Sequence, residues 1–75
     1  MNINTVRETW EAVSLLYVEG KPVTCEAVAK KLGLQSTAAW ERVQELAETG
    51  YVVLGDEGQS GAIVPTVLLL PGRRQ

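Results

Sequence analysis

The chain has 75 residues, of which 45% are apolar and 21% charged, and its formal net charge is −2. This composition is too apolar for a disordered protein, and the length fits one small domain over residues 1–75. The absence of histidine and the presence of one cysteine exclude histidine-based catalysis, a zinc site and an internal disulfide.

The first predicted element is a helix over about residues 5–19. Thr5 and Glu8 form a capping box, which indicates a helix start. Gly20 and Pro22 then end the helix, because glycine adopts the left-handed conformation and proline prevents continuation. Four apolar residues at helical spacing predict its buried stripe: Val6, Trp10, Val13 and Tyr17.

The second predicted helix covers about residues 25–32. Thr24 is a favourable N-cap, and Gly33 ends the helix with Leu34 filling the turn. Cys25 has no base near it in sequence and is interpreted as an ordinary small residue. The inward residues are expected to be Val28, Ala29 and Leu32, with Lys30 and Lys31 outside.

The third predicted helix covers about residues 36–49, with Gln35 or Ser36 as its cap. Gly50 is its stop signal. Its inward stripe is expected to be Ala39, Val43, Leu46 and Ala47.

A β-hairpin is predicted over about residues 51–70. "YVVL" has strand composition, "GDEGQSG" is a turn, and "AIVPTVLLL" is a second strand that Pro65 interrupts. Three helices followed by a hairpin are an α+β fold, the winged helix-turn-helix arrangement, in which Val23 can add a short first strand.

Basic residues are concentrated in the second and third predicted helices. Residues 21–42 carry four basic and two acidic side chains, whereas residues 43–72 carry four acidic side chains and no basic one. The segment with the helix-turn-helix pattern is therefore the one internal stretch that is basic.

The stretch "VTCEAVAKKLGLQSTAAWERVQELAETGYVVL" resembles the DNA-binding domain of the LexA repressor and, more distantly, MarR-type winged helices. The shared pattern is Thr24, Val28-Ala29, Leu32-Gly33, Ala38-Ala39, Leu46, Gly50 and an apolar strand. The resemblance implies a winged helix that binds double-stranded DNA, with the third helix in the major groove.

Carried over by position, the resemblance places base reading at the start of the third helix. The implied base-reading residues are Gln35, Ser36, Thr37, Ala38, Trp40, Glu41 and Gln44. Glu41 can accept a hydrogen bond from the cytosine amino group. Trp40 replaces the family's polar residue, and two interpretations stay open: half-burial against the domain, or stacking on a sugar or a thymine methyl group.

Phosphate contacts are expected from the basic segment and its helix cap. The candidate residues are Lys21, Thr24, Lys30, Lys31 and Arg42. The alternative for Lys30 and Lys31 is that they are ordinary surface lysines. In the hairpin, Asp56 and Glu57 stand where DNA-gripping wings carry basic residues, so a wing contact is marginal.

A homodimer is expected from the alternation in "TVLLLPGRRQ". Side chains alternate across a strand, so Leu68 and Leu70 would share one face. Together with Leu15 and Val18 they would form an exposed apolar patch, which usually marks an interface. The alternative is a tail that folds back and covers itself.

The leading hypothesis is a small sequence-specific transcription regulator, such as a repressor, that binds DNA as a homodimer. The second is a protein–protein interaction module whose acidic hairpin docks a basic partner or whose third helix lies in a groove of the partner. An enzyme is not expected, since no nucleophile–base pair or phosphate loop is present in the sequence. No cofactor or metal is expected.

We expect no membrane association and a cytoplasmic location, because no apolar run approaches roughly 20 residues and no signal peptide is evident.

Overall fold

Three helices precede a two-stranded antiparallel hairpin in the computed structural model, which describes residues 3–68. Along the chain the elements are α1 (Ile3–Val18), α2 (Cys25–Leu32), α3 (Ser36–Glu48), β1 (Val52–Leu54), a 3₁₀ turn (Gly58–Ser60) and β2 (Ile63–Pro65). The α+β class and the order of elements are those predicted, and the layout is compatible with a winged helix. Within the described residues, no helix is long and apolar enough to cross a membrane.

The buried face of α1 differs from the predicted stripe. Tyr17 is 54% exposed, whereas Thr9 and Ser14 are fully buried. Thr9 can be buried because its hydroxyl donates a hydrogen bond of 2.8 Å to the carbonyl of Thr5, which lies inside the helix rather than at its cap. The apolar part of the buried face consists of Val6, Ala12, Val13 and Leu16.

Left-handed glycines end the first two helices, as predicted. Gly20 has φ +75° and Gly33 has φ +70°, values that favour glycine over residues with a Cβ atom. After Gly33, the Leu34 N–H donates to the Ala29 carbonyl at 2.8 Å, which satisfies a carbonyl in the last turn of α2. The resulting turn brings the start of α3 close to the end of α2.

The N-cap of α2 also belongs to the sheet. The Thr24 hydroxyl oxygen accepts a hydrogen bond from the Ala27 N–H at 3.2 Å. Thr24 forms an antiparallel bridge with Ala62, and the Ile63 N–H donates to the Val23 carbonyl at 2.8 Å. The segment around Val23 therefore extends the hairpin by one short bridge, in the place where the sequence allowed a first strand.

The hairpin pairs Val52 with Pro65, Val53 with Val64 and Leu54 with Ile63. Val52 and Ile63 face the core, and Val53 and Val64 face outward at 54% and 56% exposure. An exposed valine pair is unusual on the solvent side of an antiparallel sheet, which is normally polar.

The second strand ends at Pro65, five residues before the predicted limit of the hairpin. Two hydrogen bonds hold the chain that follows Pro65. The Thr66 hydroxyl donates to the Gly50 carbonyl at 2.6 Å, and Trp10 Nε1 donates to the Val67 carbonyl at 2.8 Å. The Trp10 ring also stacks on Tyr51, with ring centroids 4.2 Å apart. These contacts fasten the hairpin to α1.

One core joins all three helices and both strands. Its buried members are Val6, Val13, Leu16, Val28, Val43, Leu46, Val52 and Ile63. A smaller cluster of Cys25, Ala29 and Ala39 packs α2 against α3, with Leu34 and Trp40 beside it. The small side chains of this cluster fix the position of α3 relative to α2.

Candidate nucleic-acid interface

The N-terminal half of α3 directs polar side chains away from the core. The helix packs through Ala39, Val43 and Leu46, all fully buried, and at about 100° per residue Thr37 and Glu41 lie on the opposite side. The exposed members of the predicted base-reading set are Gln35, Ser36, Thr37, Glu41 and Gln44. They are exposed along α3 from its start to Gln44, and we call them the α3 surface.

The two other members of the set, Ala38 and Trp40, are half-buried. The Trp40 ring packs against both core clusters. Half-burial, the first of the two interpretations of Trp40, is therefore correct. Base contact by its exposed part stays a prediction.

Lys21 and Lys31 share one carboxylate. Lys21 Nζ lies 3.4 Å and Lys31 Nζ 3.5 Å from Oε1 of Glu19, the residue that follows α1. Lys30 is exposed, and within residues 3–68 it forms no ion pair of 4.0 Å or less. Sequence reasoning missed Glu19. Its contact with Lys21, two residues further along the same loop, could have been found from the spacing, whereas its contact with Lys31 of α2 depends on how the elements are placed.

Arg42 is directed toward α1. Its Nη1 lies 3.7 Å from Oε1 of Glu8, and the residue is half-buried. On the helical wheel, Arg42 is separated from Gln44 by roughly half a turn. Arg42 therefore lies on the flank of α3 that faces α1, away from the side on which Trp40 meets α2.

Two grooves border the start of α2. The larger, of about 610 Å³, lies beside the end of α1, and its rim carries Lys21, Lys30 and Lys31 together with Glu26. The smaller, of about 400 Å³, lies between the 3₁₀ turn and the starts of α2 and α3. There Gln59 Nε2 donates a hydrogen bond of 3.4 Å to the Ser36 carbonyl, so the hairpin loop is connected to the start of α3.

The electrostatic field of this region is mixed. Residues 3–68 contain nine carboxylates and five cations, a net charge of −4. On the α3 surface Glu41 is exposed, and the hairpin loop presents the exposed Asp56 and Glu57. The three lysines of residues 3–68 thus lie together on the α2 side, whereas Arg7 and Arg42 lie on α1 and on the flank of α3 that faces α1.

Two further apolar areas are exposed. Of the predicted dimer residues, Val18 is 57% exposed, Leu15 and Leu68 are half-buried, and Leu70 lies outside the described residues. Because β2 ends at Pro65, Leu68 is not part of a strand, and the alternation argument for it is wrong. The exposed pair of Val53 and Val64 was not predicted as an interface, although alternation in "YVVL" could have indicated it.

No family model matches this sequence, and searches of curated proteins and of solved structures find no significant match. The function is therefore inferred from the residues and their geometry.

Proposed function

We propose that the chain is a winged helix-turn-helix protein that binds double-stranded DNA and regulates transcription, with α3 in the major groove. The observation that carries the proposal is the α3 surface. Its hydrogen-bonding side chains are exposed from the turn after α2 as far as Gln44, while Ala39, Val43 and Leu46 hold the other side of α3 in the core.

The side chains of the α3 surface match base edges chemically. Gln35 and Gln44 can donate to and accept from adenine, and the Thr37 hydroxyl can contact several bases. Glu41 can accept from the cytosine amino group, so one carboxylate on the helix is compatible with the major groove. These residues would carry the sequence preference.

Phosphate contacts would come from the α2 side. Lys30 is free of ion pairs within the described residues, and Lys21 and Lys31 engage only a carboxylate at the surface. Thr24 lies on the same side, at the start of α2. Because Arg42 pairs with Glu8 on the α1 side, we give it a smaller role than the lysines.

Each subunit offers few basic side chains for phosphate contacts. A homodimer on a two-fold DNA site would double that number, so we include dimerisation in the proposal. Val18, with Leu15 beside it on α1, is the predicted interface residue most available for that contact. We place this regulator in the cytoplasm, together with the DNA that it would bind.

A second candidate is a protein–protein interaction module, and a specific observation favours it. Three of the five cations in residues 3–68 pair with carboxylates of the chain itself, and the hairpin loop is acidic. An acidic loop with largely neutralised cations suits a basic protein partner better than a polyanion.

The deciding experiment is titration of the chain into random-sequence duplex at low and moderate salt. The DNA proposal expects Kd values of roughly 1–100 µM that rise with salt, because counterions are released on binding. Thr37→Ala should not change this non-specific binding, whereas Lys30→Ala should weaken it and flatten the slope of log K against log salt by about 0.9. The absence of duplex binding at low salt would refute the proposal.

A further inference from the structure

The larger groove, beside the end of α1, places three lysines around an apolar floor. Lys21 comes from the loop after α1, and Lys30 and Lys31 come from the last turn of α2. The floor is formed by Leu16, Pro22 and Ala27. With about 610 Å³, the groove falls within the usual size range of ligand pockets, roughly 300–1,000 Å³.

A carboxylate of the chain itself engages two of these lysines. The ammonium groups of Lys21 and Lys31 lie 3.4 Å and 3.5 Å from the same oxygen of Glu19. Two ammonium groups therefore lie close enough together to contact one anionic oxygen, such as an oxygen of a phosphate group. Ion pairs at the surface are weak, so an incoming anion can displace Glu19 at small cost.

We propose that this groove binds phosphate groups, and that Glu19 competes with them for Lys21 and Lys31. A phosphate group presents at least two strong acceptor oxygens, and a polyphosphate also carries more charge than a carboxylate, so a phosphate ligand can engage both lysines and Lys30 together. The phosphates can belong to a DNA duplex, in which case the inference rests on the proposed function, or to a free polyphosphate.

Two other polar residues of the groove modulate the site. The Thr24 hydroxyl oxygen accepts from the Ala27 N–H, which leaves its O–H free to donate to a phosphate oxygen. Glu26 lines the same groove and forms no ion pair of 4.0 Å or less within residues 3–68. Its carboxylate repels a phosphate but holds no lysine, so Glu26 provides a matched control for Glu19.

The test measures binding of inorganic tripolyphosphate and of a short random-sequence duplex to Glu19→Gln and Glu26→Gln by calorimetry. Glu19→Gln should bind tripolyphosphate about three- to tenfold more tightly than the wild type, because it removes a charge and releases two lysines. Glu26→Gln should gain clearly less than Glu19→Gln, because it removes the same charge but releases no lysine. Equal gains for the two variants would overturn the proposal.

A double-mutant cycle separates competition from a general charge effect. In a Lys21→Ala, Lys31→Ala background, Glu19 has no lysine to hold, so the gain from Glu19→Gln should fall to that of Glu26→Gln. If the full gain persists without the lysines, competition for them is wrong. Circular dichroism of each variant verifies that these surface changes leave the fold intact.

The two probes distinguish the groove from the proposed function. Tripolyphosphate binding that needs Lys21, Lys30 and Lys31, with no duplex binding, would keep the groove and refute DNA as the partner. Duplex binding that is unchanged by loss of the three lysines, with no tripolyphosphate binding, would refute the groove and keep DNA as the partner.

Discussion

At the scale of single residues, Cys25 illustrates how position determines chemistry. It is the first residue of α2 and 1% exposed, and its Sγ donates a weak hydrogen bond of 3.6 Å to the Ser36 carbonyl. Burial raises the pKa of the Cys25 thiol above its ordinary value of about 9.0, and a hydrogen bond with Gln59 opposes part of the rise. The thiol is therefore protonated at neutral pH and belongs to the α2–α3 packing.

The raised pKa of Cys25 predicts a loss of stability in alkali. Folding favours the neutral thiol, so its contribution is present below the ordinary pKa of about 9.0 and disappears as the pH rises through the raised pKa. Urea unfolding at several pH values should show the free energy of unfolding falling more steeply above pH 9 in the wild type than in Cys25→Ala. All other groups are common to the two proteins, so the comparison isolates Cys25, and parallel curves would contradict the prediction.

At the scale of elements, the turn between α2 and α3 depends on one backbone conformation. Gly33 has φ +70°, and a Cβ atom built there would meet no atom within 4 Å. A side chain at this position would thus be disfavoured by the left-handed backbone and not by crowding. The turn directs the start of α3, so its rigidity also determines where the α3 surface lies.

Replacement of Gly33 by alanine should lower the free energy of unfolding by about 1–2 kcal/mol, the cost of the left-handed conformation for a residue with Cβ. Gly33→Asn should cost less, because asparagine tolerates this region better. Gly55→Ala is the control: its Cβ also meets nothing within 4 Å and its φ is not in the left-handed range. Equal losses for Gly33→Ala and Gly55→Ala in urea titrations would contradict the backbone explanation.

At the scale of the whole molecule, charge distribution separates the two candidate functions. Lysines gather around the groove beside α2, and carboxylates occupy the hairpin loop and part of the α3 surface. A DNA duplex near the loop would meet repulsion from Asp56 and Glu57, whereas a basic protein would be attracted by them.

Charge reversal in this loop, by Asp56→Lys together with Glu57→Lys, should strengthen duplex binding if the loop lies near phosphates. The slope of log K against log salt should then steepen by up to about 1.8. The neutral variant Asp56→Asn, Glu57→Gln should give a smaller gain, since it removes repulsion without adding attraction. If the partner is a basic protein, the reversal should instead abolish its capture and leave duplex binding negligible. Unchanged binding in both assays would place the loop outside either interface.

Local chain chemistry was enough to predict much of the fold and the position of the α3 surface. Gly20 and Gly33 end helices because each adopts the left-handed backbone conformation, which glycine favours whatever elements lie nearby. In α3, helical periodicity correctly placed Val43 in the core and Thr37 outside, since one apolar stripe on a polar helix leaves little choice of orientation. These features needed no knowledge of the neighbouring elements.

Only the tertiary structure decided which side of α1 is buried and which charges meet. α1 is apolar on more than one side, so periodicity gives the spacing but not the orientation, and packing left Tyr17 exposed while it buried Thr9. The hairpin ends at Pro65 because Pro65 pairs with Val52, the first residue of β1, and Trp10, more than 50 residues earlier, donates a hydrogen bond to the carbonyl of Val67 beyond it. Glu19 pairs with Lys31 of α2 for a similar reason: contacts between elements depend on their relative placement, which no local pattern encodes.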